Sequence, residues 1–323
     1  MTGLDRNHEK ADRRSGQAEP RGDRVSATRL DWLAASLSER DWVVLDSLAV
    51  WRLMTTDQLR RLHFTGLGTA GSSGRTVRAA LRRLAVEVGA VRHLTRRIGG
   101  VRAGSSGYVW HLTGVGRRLL ATLFAPAGMR RARLAAVAVS EPSPRTLDHS
   151  LAVSEVAVRL GEAGQAGRAG QLEVLRLEAE PDCWREHFGS VGQRLRVKPD
   201  LFIITGVAGG EFQDLWFVEV DRATETLATI RRKADAYAAY HRSGVEQARS
   251  GVFPRVLWVT PDMARAEAIQ QELAGGRGRG ETSGSVGPGR NEQAIGSRLH
   301  LAVPMGGLIG AVTGQDGSEP SRN

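Results

Sequence analysis

The chain has 323 residues, of which 41% are hydrophobic and 25% charged, a composition typical of a globular chain of about two domains. Its one cysteine, Cys183, excludes an internal disulfide framework and a cysteine-based zinc site. The N-terminal residues are charged, and no apolar run is long enough to cross ~30 Å of hydrocarbon. We therefore expect a cytoplasmic chain that makes no contact with a membrane.

The positive charge is concentrated in one part of the chain. The net charge is +10, and residues 71–120 contain ten arginines and a single acid, Glu87. Such a concentration indicates a polyanionic partner, most often a nucleic acid. The alternative is a solvated basic face without a partner.

Stretches rich in proline, glycine and serine favour turns and loops, and their positions predict the organisation of the chain. Residues 1–27 lack a periodic apolar pattern, which predicts a disordered arm. The segments that follow are a first module (28–124), a proline-containing linker (125–145), a second module (146–273), a flexible Gly/Ser/Arg-rich insertion (274–298), a possible last strand (299–313) and a disordered tail (314–323).

The first module contains three predicted helices. Ser38 caps a helix that runs to about residue 50, and Thr55 or Thr56 caps the second. The third helix, over residues 73–86, has an apolar stripe formed by Val77, Ala80, Leu81 and Leu84. Arg75, Arg78 and Arg82 follow helical spacing on the opposite face, so this helix has one core face and one cationic face.

Two short β-like runs follow the third helix, over residues 91–97 and 107–112, and they predict a hairpin before a closing helix that starts at Thr113. This order is that of a winged helix-turn-helix, which places its third helix in the major groove and its wing along the DNA backbone. We expect Arg75, Arg78 and Arg82 to face DNA, and Arg96, Arg97 and Arg102 of the wing to contact phosphates. A winged-helix module that binds protein is the alternative.

The second module alternates helix and strand patterns, which predicts an α/β sandwich with a partly parallel sheet, so that the chain as a whole is α+β. Its first helix, from about Asp148, carries Glu155 on an apolar flank, either as a functional acid or as a rim residue. The apolar run around Phe217 predicts a central strand, within which Glu219 would be enclosed and would need a cation.

One stretch of the second module resembles the PD-(D/E)xK nuclease fold. It consists of Pro199-Asp200, a hairpin, and a strand that ends in Glu219-Val220-Asp221. The resemblance implies that Asp200 and Glu219 bind Mg²⁺ or Mn²⁺, that Glu155 is an added acid, and that a lysine orients the attacking water.

This chain departs from that pattern because Asp221 stands where the lysine is expected. Lys233, on the following helix, is one of three lysines in the whole chain and is our candidate for the displaced catalytic cation. We therefore count Asp200, Glu219, Lys233, Glu155 and Asp221 as candidate catalytic residues. The alternative is that Asp221 caps a helix and the other charges form surface ion pairs.

The whole order of motifs resembles the replication-relaxation family of plasmids and mobile elements. The order runs from the winged helix through Asp148-His149 to the stretch 219–225, with Lys233 and Tyr237 after it. The resemblance implies a DNA-binding protein that acts in replication, relaxation or mobilisation. Metal-dependent nicking is an activity that the nuclease-like domain would allow, and the family resemblance leaves it open. The alternative is a non-catalytic regulator of transcription or copy number with a degenerate nuclease-like domain. Double-stranded DNA is the expected partner, and a second copy of the chain or relaxosome and replication proteins are further candidates.

Overall fold

The computed structural model describes residues 25–66, 68–95, 107–123, 142–166, 172–207, 210, 212–275 and 299–314. The fold is mixed α+β, as predicted. These ranges leave out most of the predicted arm, linker, insertion and tail, and also the tip of the predicted wing. Arg96, Arg97 and Arg102 therefore lie outside the described residues.

The first part of the chain consists of helices around a small sheet. Its elements are α1 (Ala27–Ser36), α2 (Glu39–Trp51), β1 (Met54–Thr55), α3 (Thr56–His63), α4 (Ala70–Val86), β2 (Val91–His93), β3 (Val109–Leu112) and α5 (Gly114–Leu123). Helix α1 was not predicted, and it begins where the disordered arm was expected to end. Ser38 and Thr55 cap α2 and α3, each in a capping box with the residue three positions on.

The second part is built on a five-stranded sheet. Its elements are α6 (Pro144–Ala166), β4 (Leu172–Ala179), β5 (Arg185–Phe188), β6 (Arg194–Val197), β7 (Leu201–Val207), β8 (Gln213–Val220), α7 (Leu227–Arg242), α8 (Val245–Ser250), β9 (Arg255–Thr260), α9 (Met263–Gly275), β10 (His300–Pro304) and α10 (Leu308–Thr313). The strand order is β10-β9-β8-β7-β4. Strands β8, β9 and β10 run parallel to one another, and β7 is antiparallel to both of its neighbours, β8 and β4. Strands β5 and β6 form a separate hairpin, and β5 was not predicted.

Helix α6 begins earlier than predicted. It starts at Pro144, inside the expected linker, because proline is well tolerated in the first turn of a helix, where its missing N–H has no helical partner.

The two faces of the sheet belong to different apolar clusters. Val218 and Leu257 pack with α6 and with the core of the first helices, whereas Phe217 and Trp258 pack with α7 and α9. This alternation follows from the two-residue period of a strand, and it directs Glu219 to the same side as Phe217. Glu219 therefore lies under α7.

Candidate functional site

Helix α4 has one buried face and one cationic face, as predicted. Val77, Leu81 and Leu84 are fully buried. Arg75, Arg78 and Arg82 are exposed on the opposite side. A fourth arginine of the helix, Arg83, turns towards α2 and forms an ion pair with Asp41. The three exposed guanidinium groups thus form a face, the α4 arginine face, that is open to a polyanion.

Glu219 is buried in the sheet, and its carboxylate accepts hydrogen bonds from two residues of α7. Its exposure is 3%. Lys233 donates from Nζ to Oε2 at 2.9 Å, and the Tyr237 hydroxyl donates to Oε1 at 2.6 Å. The predicted approach of Lys233 to Glu219 is therefore confirmed, and so is the enclosure of this carboxylate beside a cation.

Burial and the nearby Asp200 carboxylate raise the pKa of Glu219 to about 7, against the opposing effects of Lys233 and Tyr237. Burial alone would lower the pKa of Lys233, but Glu219, Glu225 and Asp200 together raise it. Lys233 also lies 3.1 Å from a carboxylate oxygen of Glu225. The lysine is therefore held in its charged form between two acids.

Asp200 directly precedes β7, and its carboxylate is near that of Glu219. Its Oδ2 accepts a hydrogen bond from the Val220 N–H at 2.7 Å, which ties it to the strand of Glu219. Its Oδ1 is 3.0 Å from Nε2 of His149 in α6. This hydrogen bond raises the pKa of His149 against the effect of burial. The cluster of Asp200, Glu219, Lys233, His149 and Tyr237, called here the polar cluster, thus joins β7, β8, α6 and α7.

Glu180 is a further acid beside the polar cluster. Burial and the neighbouring Asp200 raise its pKa, while His149 and Arg52 oppose the shift. The charge of Glu180 is therefore coupled to the Asp200 carboxylate and to His149.

Asp221 has a different role in the structure. Its carboxylate forms an ion pair with Arg265 of α9 at 2.6 Å and accepts the N–H of Ala223 at 3.0 Å. Ala223 adopts a left-handed φ of 57°, which is unfavourable for alanine, and the hydrogen bond that Asp221 accepts from its N–H holds this turn. Asp221 thus supports the connection between β8 and α7.

Glu155 contacts the first part of the chain. It lies on α6 and accepts hydrogen bonds from Arg61 of α3 at 2.8 and 3.0 Å, with further contacts to Arg159 and Gln58. These contacts place the Glu155 carboxylate between α3 and α6, among partners that do not belong to the polar cluster. The apolar flank seen in the sequence reflects the packing of α6 against α3.

A divalent metal site needs carboxylate oxygens that are free and directed at one point. Among the residues that the structure describes, no group of three or more His, Cys, Asp or Glu side chains could hold a metal ion. All four carboxylate oxygens of Asp200 and Glu219 are already hydrogen-bonded to protein groups. As arranged, this pair does not fit Mg²⁺ or Mn²⁺, and metal binding stays a prediction that would require Lys233 or His149 to leave its carboxylate.

Comparison with known proteins identifies the family. The chain matches the replication-relaxation family over residues 45–256, which is more than half of its length. It belongs to the replication-relaxation family. No match was found among curated proteins or among solved structures.

The matched region of this replication-relaxation chain contains both α4 and the polar cluster. Within the described residues, no helix has the length and apolar character needed to cross a bilayer.

Two members of the polar cluster of this replication-relaxation protein were not predicted as site residues. His149 and Tyr237 appeared in the sequence only within the order of motifs that resembles the family. The buried Leu147 gave no signal for His149, because two residues along a helix turn a side chain to nearly the opposite face. The 51-residue separation of His149 from Asp200 hides the contact from any local pattern.

Proposed function

We propose that this chain binds duplex DNA through the α4 arginine face and acts in the replication or relaxation of plasmid or mobile-element DNA. One observation carries the proposal: Arg75, Arg78 and Arg82 are all exposed on the side of α4 opposite its buried stripe. Guanidinium groups suit both base edges and phosphates. The family name supports the same role.

The arrangement around α4 supports a winged-helix mode of binding. Three helices, α2, α3 and α4, precede the antiparallel pair β2–β3, and α5 closes the unit. In such a unit the helix before the hairpin enters the major groove and the wing follows the backbone. This role implies work in the cytoplasm beside replication or relaxosome proteins, and a homodimer stays a prediction.

The test uses the full chain and a labelled duplex. The triple variant Arg75→Ala/Arg78→Ala/Arg82→Ala should weaken binding by at least about a hundredfold, since each such contact contributes roughly 1–3 kcal/mol. The matched control, Arg232→Ala/Arg242→Ala/Arg249→Ala, removes the same charge from exposed positions on α7 and α8 and should bind nearly as tightly as wild type. Equal losses in the two triple variants would reject the α4 arginine face as the interface.

A second candidate function is cleavage of a phosphodiester bond at the polar cluster. The observation that favours it is the Lys233 ammonium 2.9 Å from Glu219, in the cluster that also holds Asp200 and His149. A lysine beside two acids is the arrangement that the resemblance to PD-(D/E)xK nucleases implies. The competing interpretation is a regulator in which the same contacts only stabilise the fold.

Nicking of a supercoiled plasmid in the presence of Mg²⁺ or Mn²⁺ separates these two interpretations. If the cluster is catalytic, Glu219→Gln should reduce nicking by roughly a hundredfold or more. Asp235→Asn, an exposed acid on the same helix, should retain it. Duplex binding without nicking by the wild-type chain would favour the regulator.

A further inference from the structure

The β5–β6 hairpin lies directly before Asp200 in the chain and is not part of the five-stranded sheet. Its register pairs Phe188 with Arg194 and Glu186 with Arg196. Paired residues of antiparallel strands project from the same face, and alternate residues project from opposite faces. The hairpin therefore has an inner face and an outer face of different composition.

The inner face packs on the protein. Arg185, His187 and Val197 are buried there, and His187 stacks against Tyr240 of α7 with ring centroids 5.0 Å apart. This packing fixes the orientation of the hairpin, so the outer face is turned to solvent as a defined surface.

The outer face combines aromatic and cationic side chains. Phe188 is 66% exposed, and Arg194, paired opposite it, has a side chain that is 70% exposed. Further along, the ammonium of Lys198 lies 4.7 Å from the ring centroid of Trp184. Arg196 also covers this ring, at 5.4 Å.

The charge of the outer face is positive. Arg194 and Arg196 of β6, and Lys198 directly after this strand, occupy alternate positions roughly 7 Å apart. Glu186 is the acid that pairs with two of them, Arg194 and Arg196. The turn between the strands adds an apolar tip, Val191, which is 84% exposed.

We infer that the outer face of the β5–β6 hairpin binds single-stranded DNA, with the cations on the backbone and Phe188 stacked on an unpaired base. Proteins that bind single strands combine a cationic track with exposed aromatic rings, because every base offers a face for stacking. A duplex keeps its base faces inside the stack, so an exposed phenylalanine between cations is suited to an opened strand.

The β5–β6 hairpin lies next to the polar cluster, so DNA bound to its outer face would be near that cluster. Strand β6 leads through Lys198 and Pro199 to Asp200, and the Cys183 thiol donates to the Pro199 carbonyl at 3.0 Å. A strand held on the outer face would therefore lie close to the polar cluster. This inference extends the proposed DNA-binding function to a second surface, separate from α4.

The test measures binding of the full chain to a labelled poly(dT) oligonucleotide. Phe188→Ala should weaken binding about tenfold, the usual effect of losing one stacked base. Arg194→Ala should flatten the dependence of log K on log salt by about 0.7, as expected for one phosphate contact on a single strand. Both side chains are exposed, so the melting temperature should not change.

The controls are matched in chemistry and exposure. Phe212→Ala removes an 86% exposed phenylalanine beyond β7, and Arg232→Ala removes an exposed arginine of α7. Neither should alter poly(dT) binding. The inference is overturned if wild type does not bind poly(dT), if the hairpin variants bind it like wild type, or if Phe212→Ala weakens binding as much as Phe188→Ala.

The outcomes also separate this inference from the proposed duplex function. Wild-type poly(dT) affinity in the hairpin variants, together with lost duplex binding in the α4 triple variant, would reject only the hairpin. A changed sedimentation coefficient in Phe188→Ala, with unchanged poly(dT) affinity, would identify a contact between copies of the chain and overturn the inference.

Discussion

Replacing Lys233 by methionine is expected to lower the free energy of unfolding by about 2 kcal/mol above neutral pH. The substitution leaves the buried Glu219 carboxylate without its cation. Removing one partner of a buried ion pair typically costs about 3–5 kcal/mol. We expect a smaller cost here because the Lys233 side chain is 37% exposed and partly screened by water. Chemical denaturation of the full chain in EDTA measures the loss.

The loss of stability in Lys233→Met should increase as the pH rises. The pKa of Glu219 is raised by folding from 4.5 to about 7, so its ionisation penalises the folded state. This penalty is absent below about pH 4.5 and fully present above about pH 7. Removing Lys233 raises the pKa further, so the cost of Lys233→Met should be small below about pH 7 and grow as pH rises above it.

Two controls test the interpretation. Arg232→Met, on the same helix but exposed, should change stability by no more than about 0.5 kcal/mol. The double variant Glu219→Gln/Lys233→Met removes both charges and should recover most of the loss. A cost that is independent of pH and persists in the double variant would mean that Lys233 contributes packing and not charge.

Replacing Gly116 by alanine is expected to destabilise the first part of the chain by about 3 kcal/mol, the upper range for overpacking. A Cβ on Gly116 would lie 2.2 Å from the carbonyl oxygen of Ala90, a backbone atom that cannot move as a flexible side chain could. The expected fall in melting temperature is roughly 6–12 °C.

Gly114→Ala, at the first residue of the same helix, is the matched control. The nearest atom to a Cβ there is a guanidinium nitrogen of Arg117 at 3.9 Å, an ordinary contact. Alanine generally stabilises a helix relative to glycine, so this variant should be as stable as wild type or more so. An increase in melting temperature for Gly116→Ala would contradict the close approach of α5 to Ala90.

Much of the fold could be predicted because its signals are local. The stripe of Val77, Leu81 and Leu84 indicated α4 and its cationic face, and the apolar run around Phe217 indicated β8. Helix α1 and strand β5 were missed. Strand β5 is short and alternates buried with exposed residues over only four positions, too few for a pattern.

The polar cluster was predicted only in part because its contacts are not local. Lys233 follows Glu219 by 14 residues, on the helix directly after its strand, and a crossover helix has to lie across the sheet. The partners of Glu155 and Asp221 could not be inferred in this way. Arg61 lies 94 residues from Glu155, and Arg265 lies 44 residues from Asp221. Such pairs follow from tertiary packing and leave no periodic signal.

The salt dependence of duplex binding tests the central claim, that the α4 arginine face contacts DNA, most directly. Each phosphate contact adds about 0.9 to the slope of log K against log salt. If all three arginines contact phosphates, Arg75→Ala/Arg78→Ala/Arg82→Ala should flatten the slope by about 2.7, whereas the triple variant on α7 and α8 should keep the wild-type slope. Parallel lines for wild type and the α4 triple variant would contradict the claim.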